Sequence, residues 1–168
     1  MSKANQQVIR FFIISLVLYV AWDFFYWHYL YGHPITAFLR DWQTGVSSRL
    51  LALLGFNTYV YGNNLYIDGE NCILVANQCN GLDFAGVFLC FIFAYPAPIK
   101  QKLFFIPLGM AIVFGLNIIR ISALALNFHY SKGSFDFNHK ITFTYVVYIL
   151  VFAAWYGWTR LMDRVGVK

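Results

Sequence analysis

Charged residues are scarce in this sequence: Asp, Glu, Lys and Arg together make up 11% of its 168 residues. A soluble globular domain carries roughly 25% charged residues. So few charges could not keep a folded surface hydrated, and a soluble enzyme is excluded. A disordered chain is excluded as well, because 60% of the residues are hydrophobic and 21% are aromatic. A small integral membrane protein remains.

Cysteine and histidine are also few. Three cysteines are too few for a disulfide scaffold, although a Cys72–Cys79 disulfide is conceivable in an oxidising compartment. The sequence has no CxxC pair, which argues against a thiol oxidoreductase, and its four histidines show no HxxxH or HxxE spacing. We therefore expect no metal and no other cofactor. The basic residues are scattered along the chain, so we expect no nucleic-acid partner.

Four apolar stretches are long enough to cross a bilayer, which needs about 20 residues. They cover about residues 8–27, 82–99, 103–126 and 141–161. These spans predict an all-α polytopic membrane protein of the cell (inner) membrane, with a single membrane domain over 1–168.

Positive charge predicts the orientation of the spans. Short segments that an even number of spans places on one side carry seven basic residues: Lys3, Arg10, Lys100, Lys102, Arg160, Arg164 and Lys168. The two longer loops on the other side carry four. We therefore expect both termini in the cytoplasm, and segments 28–81 and 127–140 outside.

The long outer segment, 28–81, has two predicted parts. From 35 to 55, apolar residues recur every three or four positions, which predicts an amphipathic helix lying in the membrane interface. The residues off this apolar stripe are Arg40, Asp41, Gln43, Ser47 and Ser48. From 58 to 76, short β-prone runs around a Gly-Asn-Asn turn predict a small β-hairpin region.

Arg120 is the most informative polar residue, because it lies inside the third predicted span. An arginine near the bilayer centre costs about 2.5–3.5 kcal/mol on insertion scales. One interpretation is that the side chain snorkels outward to the headgroups. Asn117, one helical turn away on the same face, favours the other interpretation, an internal polar site.

Cys79 and His139 lie at the outer ends of the second and fourth spans. Cys79 is followed by Asn80 and Gly81 at a helix N-terminus, whose partial positive charge favours a nucleophilic thiolate; a structural cysteine is the alternative. An imidazole suits proton transfer near neutral pH, and Asp136 is close enough in sequence to orient the His139 ring. A thiol, a guanidinium and an imidazole together are the groups of a nucleophilic acyl-transfer site.

This order of residues resembles the exosortase/archaeosortase family. The resemblance rests on Cys79-Asn80-Gly81 at a span start, the segment 117–120 late in the next span, and His139 before the last. It covers about residues 50–163. Members commonly have Ser or Thr where this chain has Asn80, and many have about eight spans, so the chain resembles a short form of the family.

The resemblance implies a role for each residue of the triad. Cys79 would be the nucleophile, His139 the acid–base group and Arg120 the cation for the oxyanion or substrate carbonyl. The residues expected to bind substrate or to support these three are Asn80, Gly81, Asn117 and Asp136.

The implied activity is that of a membrane cysteine transpeptidase or protease. It would cleave the C-terminal sorting signal of exported proteins through a thioester, at the extracytoplasmic face, and transfer or release them. Its partners would be these substrates, whose sorting signal includes a transmembrane helix, and the lipid bilayer. One alternative stays open: a non-enzymatic membrane assembly or transport subunit, in which Arg120 and Asn117 hold helices together.

Overall fold

The computed structural model describes residues 3–164. Lys168, one of the charges behind the predicted orientation, lies outside the described residues, as do both ends of the predicted domain 1–168. The helices are α1 (Lys3–Phe25), α2 (Pro34–Leu53), α3 (Leu82–Ala94), α4 (Ile99–Tyr130), the single turn α5 (Phe135–Phe137) and α6 (Phe143–Arg164). The strands are β1 (Thr58–Tyr61), β2 (Asn64–Ile67) and β3 (Glu70–Leu74). Shorter helical turns of 3₁₀ or π type cover Tyr26–Leu30, Asn77–Asn80, Lys132–Ser134 and Asn138–Thr142.

Within the described residues, three helical stretches are long and apolar enough to cross a membrane: Asn5–Leu30, Ile99–Tyr130 and Lys132–Met162. The chain is therefore an all-α membrane protein, as the sequence predicts. It also carries a small β-sheet. The predicted span 82–99 is not one continuous helix. Its helix, α3, has 13 residues and is about 20 Å long at 1.5 Å per residue, less than the roughly 30 Å hydrocarbon core.

Two prolines explain why α3 ends early. Pro96 and Pro98 follow Ala94 closely, and a residue before proline is disfavoured in the helical conformation. The chain then turns into α4, and Lys102 donates a hydrogen bond from Nζ to the Phe93 carbonyl at 3.0 Å, near the C-terminal end of α3.

In α2 the polar face is buried and the apolar face is exposed, the reverse of an amphipathic helix on the surface of a water-soluble protein. Its polar residues Gln43, Thr44 and Ser47 are completely buried, and they face α4 and the turn before α3. Its apolar residues Phe38 and Leu53 are 63% and 85% exposed. The apolar stripe therefore points away from the protein, as expected where the surroundings are lipid. Gln43 and Ser47, which lie off the apolar stripe, are on the side of α2 that faces the rest of the protein.

The three strands form one antiparallel sheet in the order β1-β2-β3. A two-residue turn at Asp68-Gly69, with φ values of 52° and 83°, joins β2 to β3, and two-residue turns with positive φ are typical of tight hairpins. Leu65, Ile67 and Ile73 pack with Leu51 of α2 and Ile121 of α4 in a buried cluster. This packing fixes the sheet against the helices and directs the chain after β3 toward α3.

A second apolar core lies where α3, α4 and α6 meet. Its buried members are Phe84, Ala85, Phe88, Ile92, Val113, Val147, Val151, Trp158 and Met162. Two glycines allow the helices to approach closely: a Cβ atom at Gly86 would lie 1.9 Å from Trp22 of α1, and one at Gly109 would lie 2.0 Å from Phe88. Small residues at helix contacts serve this purpose in membrane proteins.

Candidate active site

The side chains of Cys79, Arg120 and His139 line one cavity of about 30 Å³. Cys79 comes from the turn before α3, Arg120 from the second half of α4, and His139 from the π-helical turn before α6. All three side chains are half-buried. The rest of the cavity lining is apolar: Ile73, Leu74, Val75, Ile121, Leu124 and Phe135. Three distant parts of the chain thus bring a thiol, a guanidinium and an imidazole into one mostly apolar space.

Cys79 lies in the 3₁₀ turn Asn77–Asn80, with a φ of −86° and a ψ of 22° that depart from helical values. Its N–H donates to the Ala76 carbonyl at 2.9 Å. Its thiol is free, and so is that of Cys72. The structure therefore holds no Cys72–Cys79 disulfide that would block the Cys79 sulfur.

Two buried amide side chains hold the main chain at Cys79. Asn117 Nδ2 donates to the Cys79 carbonyl at 2.8 Å and to Gln43 Oε1 at 2.6 Å. Gln43 Nε2 in turn donates to the Asn80 carbonyl at 2.6 Å. Gln43, Asn80 and Asn117 are all completely buried. These bonds hold the carbonyls of Cys79 and Asn80, whereas Asn80 Nδ2 and Asn117 Oδ1 have no hydrogen-bond partner among the described residues.

Gly81 completes the turn because of its backbone conformation. Its φ is +76°, a value that disfavours residues with a Cβ atom. A Cβ at this position would also lie 3.3 Å from the Cβ of Asn117. Asn80 Oδ1 accepts a hydrogen bond from the N–H of Leu82, the first residue of α3, at 2.9 Å. Asn80 and Gly81 therefore shape the junction between the Cys79 turn and α3.

Arg120 faces the cavity from α4. Its guanidinium carbon lies 5.8 Å from the centroid of the Phe84 ring, a distance at which a cation is attracted to an aromatic face. It also interacts electrostatically with Asp83 and His139. The buried Nε has no hydrogen-bond partner among the described residues. This arrangement supports the internal polar site over the snorkelling interpretation.

The His139 ring is oriented by stacking. It lies parallel to the Phe135 ring, with an interplanar angle of 3° and centroids 5.7 Å apart. The His139 carbonyl accepts a hydrogen bond from Thr144 Oγ1 at 3.2 Å. Asp136 is exposed, and within residues 3–164 no hydrogen bond joins it to the His139 ring. Its influence on His139 is electrostatic only.

Gln43 is the site residue that sequence reasoning missed. The sequence shows only that Gln43 lies off the apolar stripe of α2, whereas in the structure its hydrogen bonds link Asn117 to the Asn80 carbonyl. The available signal was the polar stripe itself: Thr36, Gln43, Thr44 and Ser47 recur at helical spacing in a chain poor in polar residues. In a membrane protein such a stripe is expected to face other helices.

A separate group of donors is formed by β3 and the C-terminal end of α4. Glu70, Cys72 and His129 place one potential metal-ligating atom each within 4.8 Å of one another. Lys132 forms an ion pair with Glu70 and lowers the pKa of that carboxyl below its usual value. Burial raises the pKa of the Cys72 thiol. These shifts favour a paired carboxylate and a protonated thiol.

Comparison with known proteins identifies a family. No curated protein and no solved structure matches the chain. The family model described as transmembrane exosortase matches residues 3–157. Because this match covers most of the sequence, the chain belongs to the transmembrane exosortase family, whose members are membrane transpeptidases that sort proteins.

Proposed function

We propose that this protein is a cysteine transpeptidase or protease that cleaves exported membrane-anchored proteins at a C-terminal sorting signal. Cys79 is the nucleophile, His139 the general acid and base, and Arg120 the cation that binds the developing oxyanion. The observation that carries the proposal is the convergence of these three side chains on one cavity. Each has the chemistry that one step of acyl transfer requires.

The reaction begins when the His139 ring accepts the proton of the Cys79 thiol. The sulfur attacks the scissile carbonyl carbon, and the carbonyl oxygen becomes an oxyanion beside the Arg120 guanidinium. In other acyl-transfer enzymes one such donor is worth about 2.7–4 kcal/mol. His139 then protonates the leaving amine, the C–N bond breaks and a thioester remains on Cys79. An amine, a hydroxyl or water attacks the thioester and frees the sulfur.

Gln43, Asn80 and Asn117 act as positioning residues in this scheme. Gln43 and Asn117 donate to the carbonyls of Asn80 and Cys79, and Asn80 Oδ1 accepts from the Leu82 N–H. These bonds set the direction of the thiol from the protein side, without contact to the substrate. Fixed geometry matters here, because small displacements of a reacting group reduce the rate strongly.

The length of α4 supports a site on the side opposite the basic turn. Lys100 and Lys102 lie at the start of this helix, and Arg120 lies 20 residues or about 30 Å from Lys100. That distance is close to the thickness of the hydrocarbon core. If the basic turn is cytoplasmic by the positive-inside rule, the cavity opens at the outer face, where exported substrates arrive.

The test compares cells carrying the wild-type protein, Cys79→Ala or Cys90→Ala. Cys90 is buried in α3 and is the matched control for removing a thiol. The readout is C-terminal processing of exported proteins, together with a hydroxylamine-sensitive adduct on the enzyme. We expect Cys79→Ala to abolish both while the protein still inserts, and Cys90→Ala to retain both. Normal processing by Cys79→Ala, with failure of membrane insertion in Arg120→Ala, would instead support a structural subunit.

A further inference from the structure

We propose that the free edge of β3 binds the recognition segment of the substrate as an added β-strand, and so delivers an extended peptide to Cys79. This inference rests on the proposed function, because it states how that site holds its peptide. The partner is a stretch of polypeptide in extended conformation, recognised through its main-chain N–H and C=O groups. Several protein families bind peptides by adding a strand to a sheet in this way.

The first observation is that the end of β3 and the residue after it line the cavity. Three consecutive residues, Ile73, Leu74 and Val75, line it. Successive side chains of a strand point to opposite faces of the sheet. Ile73 and Val75 are buried, whereas Leu74 is 64% exposed. A cavity bordered by residues of both faces lies along the edge of the strand, next to its main chain.

The second observation is the direction of the main-chain groups at Leu74. The Val75 N–H donates to the Asn63 carbonyl at 2.9 Å, and the next pair along the strands is Leu74 with Asn64. In an antiparallel pair, residues alternate between hydrogen-bonded and non-hydrogen-bonded positions. Leu74 therefore points its N–H and C=O away from β2, toward the edge that the cavity follows.

The third observation is the continuity between this edge and the nucleophile. β3 is the terminal strand of the sheet, and its chain runs through Ala76 directly into the Cys79 turn. Residues 71–76 contain no proline and no charged side chain. Proteins normally protect exposed strand edges with such residues, and this edge lacks them where it meets the cavity.

The opposite edge of the sheet provides a control. The Asp68 N–H donates to the Asn57 carbonyl at 2.8 Å. By the same alternation, Val60 of β1 points its main-chain groups away from β2. Val60 does not line the catalytic cavity. A proline at Leu74 or at Val60 thus removes one edge-facing N–H without removing a bond to β2, and only Leu74 borders Cys79.

The experiment measures alkylation of Cys79 by two probes, with mass spectrometry to identify the modified cysteine. Iodoacetamide is small and needs no strand pairing. The second probe, acetyl-Thr-Val-Thr-Val chloromethyl ketone, is a peptide that can pair along β3. For each variant the peptide rate is divided by the iodoacetamide rate, so that any general change in the thiol cancels. We expect Leu74→Pro to lower this ratio about tenfold, the loss of roughly one main-chain hydrogen bond, and Val60→Pro to leave it unchanged.

A second measurement uses the wild-type protein alone, in case Leu74→Pro fails to fold. N-methylation of the central peptide bond of the probe removes one of its N–H donors, and we expect it to slow alkylation about tenfold. Equal ratios in all variants, or equal rates for both peptides, would overturn strand binding while leaving the nucleophile in place. A Cys79 that does not react with iodoacetamide at all would overturn the proposed function, and strand binding with it.

Discussion

Replacing Gln43 by leucine should destabilise the protein and disturb Cys79, although Gln43 does not line the cavity. In the wild type, Gln43 donates to the Asn80 carbonyl and accepts from Asn117, both at 2.6 Å. Leucine has a similar volume but forms neither hydrogen bond. The Asn80 carbonyl would lose this partner in a fully buried site.

The expected magnitude follows from these two bonds. A typical hydrogen bond contributes about 0.5–1.5 kcal/mol net, and a buried polar group left unpaired costs about 1–3 kcal/mol. We therefore expect Gln43→Leu to lower the free energy of unfolding by about 3 kcal/mol. The control is Thr44→Val, at the neighbouring buried position. Among the described residues, the Thr44 side chain bonds only to the Arg40 carbonyl within its own helix, so its loss should cost below about 1 kcal/mol.

The assay is reversible unfolding in detergent micelles, followed by the rate at which Cys79 reacts with iodoacetamide in the folded state. The reasoning predicts a large loss of stability and an altered rate for Gln43→Leu, and neither for Thr44→Val. Equal stabilities for the two variants, with an unchanged rate at Cys79, would refute the role given to this network.

Two further predictions concern the surroundings of the site. Gly81→Ala should lower stability by about 1–2 kcal/mol because φ is positive at this position, and should reduce processing because the new Cβ would contact Asn117. The control is Gly115→Ala, where a Cβ would meet open space; it should be neutral or stabilising in thermal unfolding. The pKa of Glu70 is lowered by Lys132, so the stability that this pair provides is present at neutral pH and is lost as the pH falls through the lowered pKa. Thermal unfolding of Lys132→Met should lack this acid-dependent step, and an identical pH profile in wild type and variant would contradict the assignment.

Much of the fold could be predicted from the sequence, because long apolar runs and proline positions act locally. The small β region was also predictable from its change of period and its turn residues. The contacts of the polar face of α2 were not. An apolar stripe such as Phe38 and Trp42 is buried when the other face meets water, but lipid reverses the preference and buries Gln43 instead. The hydropathy of a single helix does not show whether water or lipid surrounds it.

The candidate site was predictable only as a set of residue types. The order of Cys79, Arg120 and His139 along the chain suggested a shared chemistry. The proximity of the three side chains depends on how α4 packs against the sheet and α6. The contacts of Gln43 depend on the register between α2 and α4, which no local pattern encodes. The same is true of the edge of β3, whose free main-chain groups are set by strand pairing.

The most direct test of the central claim is the rate at which a membrane-impermeant maleimide labels Cys79 from outside intact cells at neutral pH. It is measured in the wild type, His139→Ala and Arg120→Ala, with His129→Ala as a control histidine outside the cavity. If Cys79, Arg120 and His139 form one catalytic unit at the outer face, Cys79 is labelled rapidly in the wild type and in His129→Ala. In His139→Ala the labelling is at least about tenfold slower, because the thiol has lost its base. Equal rates in all four proteins, or labelling only from the cytoplasmic side, would contradict the account.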